Sequence, residues 1–319
     1  VKHNTIINII MTTIIAICGI DSIYYILLYF IKYNMDKNIW MFWDNDSLPY
    51  LVDKCIQKIY DLHSEYNITV MNLNNYHEYT GYFPEYLNGY GIAHKADWIR
   101  CKVVSKYGGF WIDASIYIKK PLHTWVNPNC DLYCMRHPGC ENQIENWFFY
   151  SPKKSTIVDK WLTEYEKALQ LKSDNYVKQT LDKYNLKYSI DYCGGDYLFH
   201  QLALMVVVLN NNYNINRENY GFNYNPFDGY FNTIKNTCLK DNLLNDPLFK
   251  FRETERQIFD DYYKKFGYIN RNSLLGELNV KNNYFSYMFI IIYISILLII
   301  ICYNKEILIK IYKKSIKNI

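Results

Sequence analysis

The sequence has 9 cysteines but no C-x-x-C pair, so neither a zinc ribbon nor a redox dithiol is indicated. It has no G-x-x-x-x-G-K-[ST] segment, which argues against a P-loop phosphotransferase. Net charge is small, +4, with much of the excess in the last fifteen residues, so nucleic-acid binding is not expected. No internal repeat or lectin-like unit stands out. A clear n-region and a small-residue cleavage site are missing around the first apolar run, which therefore reads as an anchor rather than a cleaved leader. Apolar and aromatic residues are plentiful instead. Half of the 319 residues are apolar and 18% are aromatic, with 34 Tyr against 16 Phe. That is enough for one sizeable α/β domain with peripheral segments, and it argues against disorder.

The most informative stretch is AHKADWIRCKVVSKYGGFWIDASIYIKKP, Ala93 to Pro121. Ile92, Ala96, Ile99, Val103 and Val104 follow helical spacing, and Gly108-Gly109 ends the pattern. Phe110, Trp111 and Ile112 form the short apolar run of a buried strand, ending at Asp113. A carboxylate delivered at the C-terminal end of a strand lies where open α/β sheets place ligands. Asp97 and Arg100, three apart, share one face of the helix before it. Two acids and an arginine at one sheet edge suit a polyhydroxylated, phosphorylated ligand; a surface ion pair is the plain alternative for Asp97 and Arg100.

The block A-D-W-I-R…Y-G-G-F-W-I-D-A-S…K-K-P resembles the donor-binding core of the capsular-polysaccharide-synthesis sugar transferases. It is also similar to the wider D-x-D group that includes clostridial glucosylating toxins and yeast Golgi mannosyltransferases. The resemblance covers roughly residues 38 to 205. It implies a GT-A-like, Rossmann-type nucleotide-sugar-binding domain in which Asp97 and Arg100 contact the donor sugar. Asp113 would contact ribose and a metal-bound diphosphate. The second acid of D-x-D is here Ser115, so the resemblance places a divalent ion, Mn²⁺ or Mg²⁺, on Asp113 and Ser115, with a poorer ligand than usual. The capsular branch tolerates D-A-S at this point.

Further elements fit around that core. Asn38 to Pro49 opens with a strand, Ile39 to Trp43, and the resemblance sets it beside the nucleotide base. Trp40 or Trp43 is then a candidate to stack on the base, with core packing the alternative for each. Leu51 to Tyr66 reads as an amphipathic helix and Ile68 to Leu73 as a strand. Asp131 to Met135 and Glu145 to Tyr150 read as strands. The resemblance puts the second at the acceptor side, with Asn146 bonding a sugar hydroxyl and Trp147 stacking on a ring; a buried strand end explains both as well. Ser155 to Leu171 reads as a core helix. After Gly194-Gly195, Asp196 is expected to cap or enter a helix through Leu209, with His200 four residues on, so that both point into the cleft. For Cys130, Cys134 and Cys140, ordinary buried thiols are preferred over a local disulfide. Residues 210 to 245 read as loops and Phe249 to Phe266 as an outer helix.

Ile6 to Ile31 is strongly apolar, and Tyr284 to Tyr303 is an uncharged stretch of membrane-spanning length followed by five lysines against one glutamate. The expected organisation is an N-terminal anchor over 1–35, a catalytic domain over 36–280, a transmembrane helix over 284–303 and a basic cytoplasmic tail over 304–319. Flanking transmembrane helices would then hold the domain on the lumenal or extracytoplasmic side. The function expected is transfer of a sugar from a nucleotide-diphosphate sugar to a glycan, lipid or protein hydroxyl, with retention of configuration. An inactive sugar-binding scaffold and a glycoside hydrolase are the alternatives.

Overall fold

The computed structural model describes residues 35–137, 140, 142–218, 246–253 and 256–257. These belong to the first of the chain's two compact units, Val1–Gly267. Both apolar end segments, the basic tail, most of the 210–245 stretch and most of the helix expected over 249–266 lie outside the described residues; Phe249 and Lys250, at its expected start, belong instead to a strand, Leu248–Lys250. Among the described residues, no helix is long and apolar enough to cross a membrane.

The architecture is mixed α/β. Strand β1 (Asn38–Phe42) leads through helix α1 (Tyr50–Leu62) to β2 (Asn67–Met71), then α2 (Tyr76–Thr80) and α3 (Ile92–Tyr107). Next come β3 (Gly109–Ile112), β4 (Ile116–Ile118), β5 (Leu132–Arg136), β6 (Ile144–Ser151), α4 (Ile157–Leu171) and α5 (Ser173–Tyr184). Helix α6 (Phe199–Leu209), β7 (Ile215–Glu218) and β8 (Leu248–Lys250) complete the described elements. Six strands form one sheet in the order β2-β1-β3-β6-β5-β7, and β4 pairs with β8 in a separate ribbon.

Strand order and side-chain alternation in this sheet position the functional residues. Strand β1 pairs parallel with β2 on one side and with β3 on the other, and the chain reaches them by α1 and by the α3 crossover. The order therefore reverses between β1 and β3, and the crevice beyond their C-terminal ends is a topological switch point. Alternation along β1 then sends Ile39 and Met41 into the core beside α1, and Trp40 and Phe42 into the core beside α3 and α4. With both faces covered, the strand reads as one apolar run.

The Gly108-Gly109 stop has a steric cause. Gly108 closes α3 with its N–H on the Val104 carbonyl at 2.8 Å, and both glycines have positive φ, 71° and 100°. A Cβ on Gly109 would run into the Asn38 backbone, so β3 lies flush against β1 only because this residue has no side chain.

Candidate active site

The switch-point crevice opens into a cavity of about 540 Å³. Asp97 and Arg100 from α3 and Asp113 from the end of β3 meet in it. Arg100 joins the two acids. Its NH1 is 3.2 Å from Asp97 Oδ1, and its NH2 is 3.3 Å from Asp113 Oδ1. NH1 also donates to the Asn146 carbonyl at 2.7 Å, and the guanidinium lies 5.1 Å from the centre of the Trp111 ring. Trp111 Nε1 donates to Asp113 Oδ1 at 2.8 Å. Asp97 and Arg100 are therefore not a surface pair: the Arg100 side chain is 6% exposed and that of Asp97 10%. Burial alone would raise the Asp97 carboxyl, but Arg100 leads the groups that outweigh it and hold it at about 2.

Asn146, on β6, is the keystone behind Asp97. Its Nδ2 is 2.9 Å from Asp97 Oδ1 and 2.9 Å from His200 Nδ1. Because an amide nitrogen only donates, His200 accepts at Nδ1 and carries its proton on Nε2, 3.2 Å from Cys101 Sγ. Burial drives His200 down to about 3, so this neutral form holds at physiological pH. The ring is fully buried and stacks on Trp161 at 4.3 Å.

Several expected site residues stand elsewhere. Trp40 is buried in the core, bonding the Gly108 carbonyl at 3.0 Å and stacking on Tyr107; it lies mid-strand on the same face as Phe42, and it is Phe42, at the strand end, that reaches the cavity. Trp43, past the strand end, does line the cavity. Trp147 is buried in the core beside α1 and is not on the cavity wall. His200 sits behind Asp97 rather than in the cavity. Asp196 is exposed and does not enter a helix. A turn closed by Leu198 N–H on the Gly194 carbonyl, 3.2 Å, delays α6 to Phe199, so Asp196 and His200 share no helical face. Tyr197, Leu198 and Gln201 line the cavity in their place.

Glu145, Lys250 and Arg256, which no sequence motif marks, also line the cavity. Lys250 Nζ is 3.7 Å from Asp113 Oδ2 and lies over the Trp147 ring at 5.2 Å. Burial lowers the Lys250 pKa, while Asp113 and Glu145 work against that fall. Glu145 is buried too, which raises its carboxyl against the pull of Lys250 and His137. Cys140, against the expectation of a plain buried thiol, is bonded to Cys193, with Cα atoms 6.1 Å apart. The disulfide ties the turn before β6 to the segment before α6, while Cys130 and Cys134 stay buried free thiols.

The donor set does not fit the expected divalent ion. Asp113 Oδ1 already accepts from Arg100 and Trp111, and Oδ2 faces an ammonium. Ser115 Oγ accepts from Arg256 NH1 at 3.4 Å. A hard cation needs several free oxygens, and these two are committed to cationic and neutral donors. Among the described residues, the acids of the cavity form no cluster of three within ligating reach; the only such group, His137, Cys140 and Cys193, has both thiols in the disulfide.

No curated protein matches the chain. Among solved structures, one titled "Crystal structure of a glycosyltransferase involved in the glycosylation of the major capsid of PBCV-1" aligns with a TM-score of 0.39 at 11% identity. That alignment covers 72% of this chain and 98% of the other. Another, "PaToxG Glycosyltransferase", aligns with a TM-score of 0.32 at 15% identity over 59% and 86%. Likenesses this distant carry no weight for the activity of this chain. The profile of the family described as "Capsular polysaccharide synthesis protein" matches residues 29–231, well over half of the 319 residues. This chain belongs to the capsular polysaccharide synthesis protein family, the sugar-transferase family that its Ala93–Pro121 block resembles.

Proposed function

We propose that the chain transfers a sugar from a nucleotide-diphosphate sugar to a hydroxyl of a glycan, lipid or protein, with a GT-A-like domain doing the chemistry. The observation that carries this reading is the meeting of Asp97, Arg100 and Asp113 in one cavity at the switch point. The volume, about 540 Å³, is within the range of small-ligand sites. Asp97 and Asp113 offer acceptor oxygens for sugar and ribose hydroxyls, and Arg100 holds both in place with permanent charge. Gln201 is on the cavity lining, and its buried Oε1 has no hydrogen-bond partner among the described residues. Trp43 stands at the end of β1 as a stacking surface for the base.

Transfer with retention needs no dedicated base. Neutral His200, walled behind Asp97, is not called on to provide one. The residues instead fix the donor and stabilise charge as it develops on the departing diphosphate. Membrane anchoring through the apolar end segments belongs to the same reading, with the domain on the extracytoplasmic side. The Cys140–Cys193 bond supports that side, since such bonds persist in oxidising compartments.

The test is donor turnover by the purified full chain against a panel of nucleotide sugars. One donor is expected to release its nucleoside diphosphate, and Asp97→Asn and Asp113→Asn are expected to abolish the release. Folded protein that neither turns over nor binds any donor sinks the proposal.

A further inference from the structure

Resting on the reading of this cavity as a nucleotide-sugar site, we propose that Lys250 and Arg256 bind the donor diphosphate in place of a divalent metal ion. The backbone puts Lys250 where it is. Strand β8 runs antiparallel to β4 with Ile116 opposite Lys250, and Phe251 N–H bonds the Ser115 carbonyl at 3.1 Å. This register sets the lysine directly beside the Asp113-Ala114-Ser115 turn, with its ammonium 3.7 Å from Asp113 Oδ2. Arg256 is fixed from the same segment: NH1 bonds the Phe251 carbonyl at 2.8 Å and Ser115 Oγ at 3.4 Å, and the guanidinium lies 5.5 Å from the Trp43 ring centre.

The charges of the cavity balance on this assignment. Asp97 is answered by Arg100. The acids left are half-buried Asp113 and buried Glu145; they flank the Lys250 ammonium and are matched by Lys250 and Arg256 together. The two cations thus cancel the repulsion these acids would exert on a diphosphate and stand where they can bond its oxygens, rather than leaving a surplus of positive charge. The other acids on the wall, Asp44 and Glu253, are exposed, and water and salt screen them. Without Lys250 and Arg256, the inner cavity would present uncompensated carboxylates to an anionic ligand. With them, an ammonium and a guanidinium stand at the two residues where a D-x-D site would place its ion, and each can make charge-assisted hydrogen bonds to phosphate oxygens.

The experiment is calorimetric titration of the full chain with UDP, GDP, ADP and dTDP, in EDTA and then in Mn²⁺, with the matching nucleosides as controls. One nucleoside diphosphate is expected to bind in EDTA with an affinity that Mn²⁺ barely alters. Lys250→Met and Arg256→Met, which keep the apolar stem, should each weaken that diphosphate by about tenfold or more, the worth of a charge-assisted bond, and leave its nucleoside unaffected. Lys250→Arg should retain most of the binding, and it guards against a Met variant that fails to fold. Binding seen only with Mn²⁺ and removed by EDTA overturns the proposal while keeping the donor site. Unchanged diphosphate affinity in both folded Met variants overturns it as well. If no nucleoside diphosphate binds under either condition, the donor-site reading falls and this inference with it.

Discussion

Replacing Asn146 with leucine isolates the keystone of the site. The side chains are of similar size, so the change removes hydrogen bonds with little change in volume. Two bonds go: the one to ionised Asp97 and the one to neutral His200, each 2.9 Å. A bond to a charged partner contributes about 1.5–3 kcal/mol and a neutral one about 1 kcal/mol, so about 3 kcal/mol is at stake. Water from the cavity can reach Asp97, whose side chain is 10% exposed, and recover part of the first bond. It cannot reach His200, which is 0% exposed, so Nδ1 would be left without a donor. The Asn146 carbonyl that accepts from Arg100 is backbone and survives the substitution. Urea unfolding at pH 7.5, followed by tryptophan fluorescence, should show Asn146→Leu less stable by about 2–3 kcal/mol. Combining it with His200→Leu, which removes the orphaned acceptor, should cost less than the two single changes added, by about 1 kcal/mol. A loss below about 1 kcal/mol, or strictly additive costs, would refute the assignment of Asn146 as donor to both neighbours.

Three other outcomes are expected. Because His200 titrates at about 3 in the folded state against about 6.5 unfolded, the folded protein is proton-poor there: its contribution is complete above pH 6.5 and is lost as pH falls toward 3, at up to about 1.4 kcal/mol per unit. Stability measured between pH 7 and 4 should therefore drop, and His200→Asn should flatten the curve; an unchanged slope argues against a buried neutral imidazole. Cys140→Ser with Cys193→Ser opens a cross-link of sequence separation 53, which by loop closure costs about 2–4 kcal/mol in denaturation midpoints, and the same shift should follow reduction of the wild type. Gly109→Ala places a methyl against the Asn38 backbone at positive φ, and a loss of about 3 kcal/mol or more, or insoluble protein, is expected; near-neutral stability would mean that β3 can move off β1.

What the sequence discloses is local. The helix from Ile92, the glycine stop and the strand ending at Asp113 are set by spacing and steric rules within one short block, and they form as read. The sugar-transferase resemblance rests on the same block. Trp40 stays open between base stacking and the core at the level of sequence, since choosing needs to know where along β1 the crevice opens, and only Phe42 and Trp43 reach it. Asp196 departs from its expected place because a glycine turn postpones the helix, a matter of a few residues that capping rules do not resolve. Glu145 and Lys250 give no signal, since their importance arises only when β6 and β8 come to Asp113 from distant parts of the chain. Cys140 and Cys193 are invisible as a pair for the same reason, with the fold rather than the spacing bringing them together.

The ribbon of β4 and β8 gives the site an order of assembly. All six strands of the main sheet have been synthesised once Glu218 has emerged, and by then Asp97, Arg100, Asp113 and Asn146 are present too. Lys250 is made later, and it joins by pairing with β4 and burying Leu248 and Phe249 beside it. A nascent chain can therefore build a packed sheet whose ligand crevice still holds unanswered acid groups. The countercharge arrives only when β8 docks on β4. A chain halted before residue 248 would lack the lysine and also the buried Leu248, Phe249 and Phe251, so ligand competence waits on the same segment that closes this part of the core.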